Sequence, residues 1–156
     1  MTAEEIIPLA QNAGFSGQDL QTAVQVALAE SSGNPSAWGD AGIGQGSFGL
    51  WQINAYWHPE FGPDFSQLYD PQTNANAAFS VYSKAGNSFS PWSTFKTGAY
   101  GKYAAIVANA LSAAYQAVSD AASNVVQTVE DNPETSSDIG ILLVVGLALL
   151  FLMKKA

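Results

Sequence analysis

Residues 23–35, AVQVALAESSGNP, decide how the rest of the chain is read. Upstream, Ser16 and Asp19 mark a helix start, and Leu20, Ala23, Val24, Ala27, Leu28 and Ser31 recur at helical spacing as a buried stripe. Glu30 falls in the last turn, one position off that stripe, with Val26, Ala27 and Ala29 around it. Its carboxyl is therefore expected half-buried at the edge of the core. The helix dipole disfavours a carboxylate at a C-terminus, and desolvation acts in the same direction, toward the protonated form. A carboxylic acid that keeps its proton near neutral pH is what general-acid cleavage of a glycosidic bond requires. On the stretch alone, an exposed helix glutamate is the competing reading.

Working outward, Thr2 and Glu5 fit a capping box that opens a short helix ending at Gly14. Residues 33–66 are rich in glycine, proline and aromatics without sustained periodicity, which predicts an irregular lobe. Asp70-Pro71 predicts an N-cap and first-turn proline for a helix with Ala75, Ala78, Phe79 and Tyr82 on one face, stopping near Gly86. From about Lys102 to Val129, apolar residues at Val107, Leu111, Ala114, Val118, Ala122, Val125 and Val129 predict a long amphipathic, alanine-rich helix. Its small-residue stripe suits core packing, a stalk or self-association. The expected fold class is mainly α.

Residues 130–138 form an acidic linker broken by Pro133. Ile139 to Met153, IGILLVVGLALLFLM, carries no charge and is followed by Lys154-Lys155. As a helix it spans about 22 Å, and snorkelling lysines make up part of the difference from a bilayer core. A single C-terminal transmembrane helix over 139–155 is the expectation, with lipid membrane as a partner. The acidic pair in MTAEEIIPLAQ leaves no visible secretory signal.

Composition removes several classes of function. The 156 residues are 47% apolar, enough for a core without staples, and there is no cysteine for disulfides, thiol catalysis or thiolate metal sites. One histidine, His58, cannot make a multi-histidine metal centre, so no metal and no cofactor is expected. Thirteen acids against five lysines give a net charge of −8, which argues against a nucleic-acid partner. Gly44 to Gly49 spells G-x-G-x-x-G, but no strand precedes it and no helix clearly follows.

Four motifs in order, Glu30-Ser31-Ser32-Gly33-Asn34-Pro35, Gly49-Leu50-Trp51-Gln52-Ile53, Asp70-Pro71 leading to Asn76-Ala77-Ala78, and Ser90-Pro91-Trp92-Ser93-Thr94-Phe95 with Gly98-Ala99-Tyr100, resemble the lysozyme-like lytic transglycosylase family. The similarity is to its soluble-transglycosylase and goose-type lysozyme branch, especially phage versions, over roughly residues 20–103. It implies a lysozyme-like helical domain over residues 1–101, followed by the alanine-rich helix over 102–129, the linker and the anchor.

The resemblance implies Glu30 as catalytic acid, with Ser31 supporting the helix end beside it. It implies Gly49 and Gln52 in the loop lining the sugar cleft, and Trp51 in packing. Ser47, Tyr56 and Tyr100 join Ser31, Gly49 and Gln52 as expected substrate contacts. Asp40, ten residues after Glu30 in a glycine-rich turn, is the possible second acid. Where the family often has Tyr-Asn-Ala-Gly beside its glutamate, this chain has Phe95-Lys96-Thr97-Gly98, so that hydroxyl is missing unless Tyr100 or another tyrosine replaces it.

The activity implied is cleavage of the β-1,4 bond between N-acetylmuramic acid and N-acetylglucosamine in peptidoglycan, with a 1,6-anhydro product. The setting implied is the virion membrane of a membrane-containing phage. A hydrolysing lysozyme of the same fold and a non-catalytic virion structural protein are the alternatives.

Overall fold

Helix α1 (Ala3–Ala13) begins where the Thr2 backbone N–H donates to Glu5 Oε2 at 2.8 Å. It ends at Gly14, whose φ of 119° turns the chain out of the helix. The computed structural model describes residues 1–131 of the chain. The expected linker beyond Asp131 and the apolar segment 139–155 lie outside the described residues. Among those described, no helix is long and apolar enough to cross a membrane.

Helix α2 (Gly17–Ser31) follows, and it is buried more widely than a single stripe. Besides Leu20, Ala23, Val24, Ala27 and Leu28, it buries Thr22, Gln25 and Val26. The reason is its central position: α1 packs on it, as does the 3₁₀ segment Ala99–Tyr103 near the far end of the domain. Helix α3 (Pro71–Lys84) starts as its sequence predicts. Asp70 Oδ1 accepts from the Thr73 N–H at 2.8 Å, and Pro71 occupies the first turn. That backbone bond holds the Asp70 carboxyl below its ordinary range. Ala75, Ala77, Ala78, Val81 and Tyr82 of α3 are buried, with α1 packed against the helix.

The lobe between α2 and α3, expected to be irregular, contains short regular pairing. It holds a three-stranded antiparallel sheet, β1 (Trp38–Gly39), β2 (Ser47–Phe48) and β3 (Ile53–Asn54), in the order β1-β2-β3. Trp38 lies opposite Phe48, and Ser47 lies opposite Asn54. Each strand is two residues long, too short to show a two-residue alternation in the sequence. Two 3₁₀ turns, Pro59–Phe61 and Phe65–Tyr69, lead from the sheet to α3.

What joins lobe to helices is a buried amide. Asn74 of α3 is fully buried; its Oδ1 accepts from the Trp51 N–H at 2.8 Å. Its Nδ2 donates to Phe48 O at 2.9 Å and Leu68 O at 3.0 Å. Trp51, also fully buried, donates from Nε1 to Ala23 O of α2 at 2.9 Å. Aromatic rings then fill the space beside α2: Phe15 meets Phe79, Tyr82 and Phe89, and Phe89 continues to Trp92 and Phe95.

After the short helix α4 (Ser93–Lys96) and the 3₁₀ segment, helix α5 (Ala104–Asp131) runs to the end of the described residues, taking in Glu130 and Asp131 of the expected linker. The chain divides into two units, Met1–Ala108 and a second from Asn109 onward. Within the first, Val107 of α5 is buried. Within the second, Leu111, Ala114, Val118, Ala122 and Val125 are half-buried and Tyr115 and Val126 are exposed.

Replacing Asn74 with alanine strands one donor and two acceptors in the interior. Asn74→Ala should lower the unfolding free energy by about 3 kcal/mol in urea titration, against less than about 0.5 kcal/mol for alanine at exposed Asn76. A second measurement concerns Tyr82, whose hydroxyl donates to Asp19 Oδ2 at 2.6 Å. Burial, then the Asp19 bond and charge, push its pKa from 10.0 up to about 12. The stabilisation this represents is complete below pH 10 and is lost as pH rises from about 10 to about 12. Tyr82→Phe should lack that part of the alkaline fall in thermal stability.

Candidate active site

The end of α2 is closed by its own side chains. Ser31 Oγ donates to Ala27 O at 2.9 Å and accepts from the Gly33 N–H at 3.2 Å, while Ser32 takes a left-handed φ of 54°. Gly33 continues the turn at φ 76°, where a Cβ would stand 2.1 Å from Met1 O, so no larger residue fits. Glu30, in this last turn, is half-buried. Its Oε1 accepts from Thr94 Oγ1 at 2.7 Å, across 64 residues of sequence.

Thr94 is held there through two buried tryptophans, Trp92 and Trp51. Trp92, just before α4, is buried and donates from Nε1 to Trp51 O at 2.7 Å. Trp51 is in turn bonded to α2 through Ala23 O. Helix α4 is therefore tied to the same helix that carries Glu30, and the Glu30–Thr94 bond closes the loop. The hydroxyl on Glu30 comes from Thr94, next to the Phe95 that stands where the family often has tyrosine. Tyr100 stacks on Phe95 at 5.1 Å between ring centres.

The other residues singled out from sequence fall into two groups. Ser47, Gly49 and Gln52 make their contacts inside the lobe. Ser47 is buried; its Oγ donates to Asp40 Oδ2 at 2.6 Å and accepts from Asn54 Nδ2 at 3.0 Å. Gly49 has a φ of 75°, and a Cβ there would meet Leu68 O at 2.3 Å and Asn74 Nδ2 at 2.4 Å. The close approach this glycine permits here is to the Asn74 anchor. Gln52 Nε2 donates to Gly49 O at 2.9 Å and Ala37 O at 3.2 Å, which commits its amide donors.

Tyr56 belongs to the second group: it is 60% exposed and meets Trp57 edge-to-face at 4.7 Å. Asp40, the possible second acid, is exposed but anchored in its turn by the Ser47 hydroxyl. Phe48, Trp51 and Phe65 of the lobe are packed inside and Phe61 is half-buried, whereas Trp38, Tyr56 and Trp57 face solvent.

A cleft of about 490 Å³ lies between β3 and α4. Gln52, Ile53, Asn54, Trp57 and His58 form one side, Pro91, Trp92 and Lys96 the other, and Val81 of α3 the base. Glu30 is not among these lining residues; it borders α4 through Thr94, between Trp92 and Lys96. Among the described residues no group of three acidic or histidine side chains could hold a metal ion. Asn74, Trp92 and Thr94 are the structural supports that sequence reasoning did not single out. Thr94 and Trp92 stood within a quoted motif, but nothing local marks a threonine as partner to a glutamate 64 positions away.

The model of the lysozyme-like domain family matches residues 7–94, more than half of the chain, and the protein belongs to that family. Searches among curated proteins and among solved structures give no match. At the level of the family, the domain is that of glycan-cleaving enzymes acting on peptidoglycan.

Thr94→Val keeps the shape of the side chain and removes the donor on Glu30. Its expected effect is a roughly tenfold slower clearing of purified cell walls with about 1 kcal/mol lost in stability, because the carboxyl loses its fixed orientation. Thr94→Ser, which keeps the hydroxyl, should retain most of the rate.

Proposed function

We propose that this chain is a lytic transglycosylase of peptidoglycan, with Glu30 as its catalytic acid and base. Glu30 gives its proton to the oxygen leaving from muramoyl C1 as the C1–O bond breaks. The carboxylate then takes the proton from the muramoyl C6 hydroxyl while that oxygen bonds to C1, closing a 1,6-anhydro ring. No water is consumed and the carboxyl ends as it began. One carboxyl suffices, because the nucleophile is part of the substrate and is held close to the reacting carbon.

The observation that carries this reading is the half-buried Glu30 carboxyl at the end of α2, with one oxygen fixed by Thr94. The lytic outcome is supported by the sufficiency of that single carboxyl for the intramolecular route. The Asp40–Ser47 bond favours a second reading. A hydrolysing lysozyme needs a positioned second carboxylate, about 5–9.5 Å from the first, and the Asp40–Ser47–Asn54 chain restrains one candidate.

Mass analysis of wall digests separates the two. The lytic reading expects products ending in 1,6-anhydromuramic acid, one water lighter than hydrolysed ends, and an Asp40→Asn variant with most of its activity. Reducing ends from the wild type with an inactive Asp40→Asn variant would make the protein a muramidase. Glu30→Gln should lower activity by about a hundredfold or more while leaving the fold intact. Equal clearing by Glu30→Gln and wild type would remove Glu30 from the chemistry. No clearing by either, with binding retained, would make this a glycan-gripping structural protein.

The setting proposed rests on sequence alone: the apolar 139–155 segment with its terminal lysines anchors the enzyme in a membrane, and the phage-like motifs place it in a virion that must pass the bacterial wall. Release of the full-length protein from membranes by alkaline carbonate would contradict the anchor.

A further inference from the structure

We propose that the cleft between β3 and α4 binds a carboxylate of the peptide carried on the muramoyl lactyl group, with the Lys96 ammonium as its counter-ion. The inference rests on the reading of the chain as a peptidoglycan enzyme and adds the part of the strand that this cleft takes.

The argument starts from which polar groups in the cleft are already committed. Asn54 Oδ1 accepts from the Tyr56 and Trp57 N–H groups at 3.0 and 3.4 Å, and its Nδ2 donates to Ser47. Gln52 Nε2 is bonded to Ala37 O and Gly49 O, and Trp92 Nε1 to Trp51 O. Ile53, Val81 and the Trp92 ring supply a buried apolar floor. Lys96 and His58 are the ionisable groups in the lining, and no acid is among them. In a chain with thirteen acids and five lysines, that local balance is reversed.

Among the described residues, Lys96 is also the lysine that no acid or ring engages. Lys84 Nζ is held by Glu60 Oε1 at 2.8 Å, which lowers the Glu60 pKa, and Lys102 Nζ lies 5.0 Å from the Tyr103 ring centre. His58 Nδ1 stands 3.6 Å from the same Glu60 oxygen. Lys96 makes no ion pair among the described residues. The cleft therefore offers a cationic donor beside a partly apolar lining, with Trp57, 66% exposed, among its residues. A neutral amino sugar asks for donors and acceptors in similar number. An anionic peptide with apolar side chains asks for what this cleft has.

Position supports the assignment. Thr94 and Lys96 lie two residues apart on α4, about 3 Å along its axis and about 200° around it, so Thr94 turns to Glu30 while Lys96 turns to the cleft on the other side. The peptide is attached to the same muramoyl residue whose C1 is cut and is long enough to cross a helix about 10 Å wide, so an anchor on the far side of α4 restrains the strand for cleavage.

The test uses the full chain on two substrates: peptide-bearing glycan strands, and the same strands stripped of peptide by an amidase. Wild type should show a kcat/KM about tenfold higher on peptide-bearing strands, the size expected of one charge-assisted contact. Lys96→Gln should lose that preference through KM and leave turnover of stripped strands unchanged, and Lys96→Arg should keep it. A wild type without preference, or a Lys96→Gln variant that preserves it or slows both substrates equally, overturns the proposal. Cosedimentation of Glu30→Gln, with and without Lys96→Gln, on the two kinds of strand separates this idea from the catalytic one. Peptide-dependent binding lost with Lys96 upholds the cleft even if no cleavage is found, and peptide-independent binding refutes it even if cleavage is found.

Discussion

The peptide group and indole of Trp51 are where the structure is tied together. Its N–H is taken by Asn74 of α3, its carbonyl by Trp92 ahead of α4, and its indole N–H is given to Ala23 of α2. Three elements far apart in sequence thus meet at one residue from which water is excluded. Each bond is worth only about 1 kcal/mol net when made, but each partner left unpaired in the interior costs about 1–3 kcal/mol. Such a centre is satisfied completely or not at all. Gly49 is a consequence of it, since a Cβ there would collide with the Asn74 amide.

The same centre sets the chemistry. Glu30 is about two turns beyond Ala23 on α2, and Thr94 is two residues beyond Trp92, which caps α4. Fixing Trp51 against both fixes the distance at which the threonine meets the carboxyl. Positioning of this kind is effective because it is already complete in the protein before substrate arrives. Around it, the lobe divides its work. Ser47, Gly49 and Gln52 hold the small sheet together, and the exposed Trp38, Tyr56 and Trp57 present ring faces to solvent. Rings of that kind can stack on the apolar faces of sugars.

Charge is distributed unevenly in a way the total does not reveal. The chain carries a net −8, yet the β3–α4 cleft is lined by Lys96 and His58 and by no acid. Long-range repulsion from the rest of the chain is screened beyond about 8–10 Å at physiological salt, so a local cation governs what enters the cleft.

Helices α1, α2 and α3 were legible in the sequence because their signals are local. The Thr2–Glu5 cap, the Asp70-Pro71 start and the stripe through Leu20, Ala23, Val24, Ala27 and Leu28 each lie within a few residues, and the structure forms each of them. The place of Glu30 at the end of α2 follows from the same local pattern. The three two-residue strands were not legible, since pairing of Ser47 with Asn54 and of Trp38 with Phe48 depends on chain reversal that no periodicity encodes. Nor was the packing of Asn74 against Gly49, which no local pattern encodes. The sequence by itself determined where helices start and stop and which carboxyl ends up at the edge of the core. Only the tertiary structure decided that Thr94 supplies the hydroxyl on Glu30, that Ser47 restrains Asp40, and that Lys96 faces a cleft without an acid. Those contacts join residues up to 64 positions apart, and it is the packing of buried tryptophans, not any short-range rule, that brings them within hydrogen-bond reach.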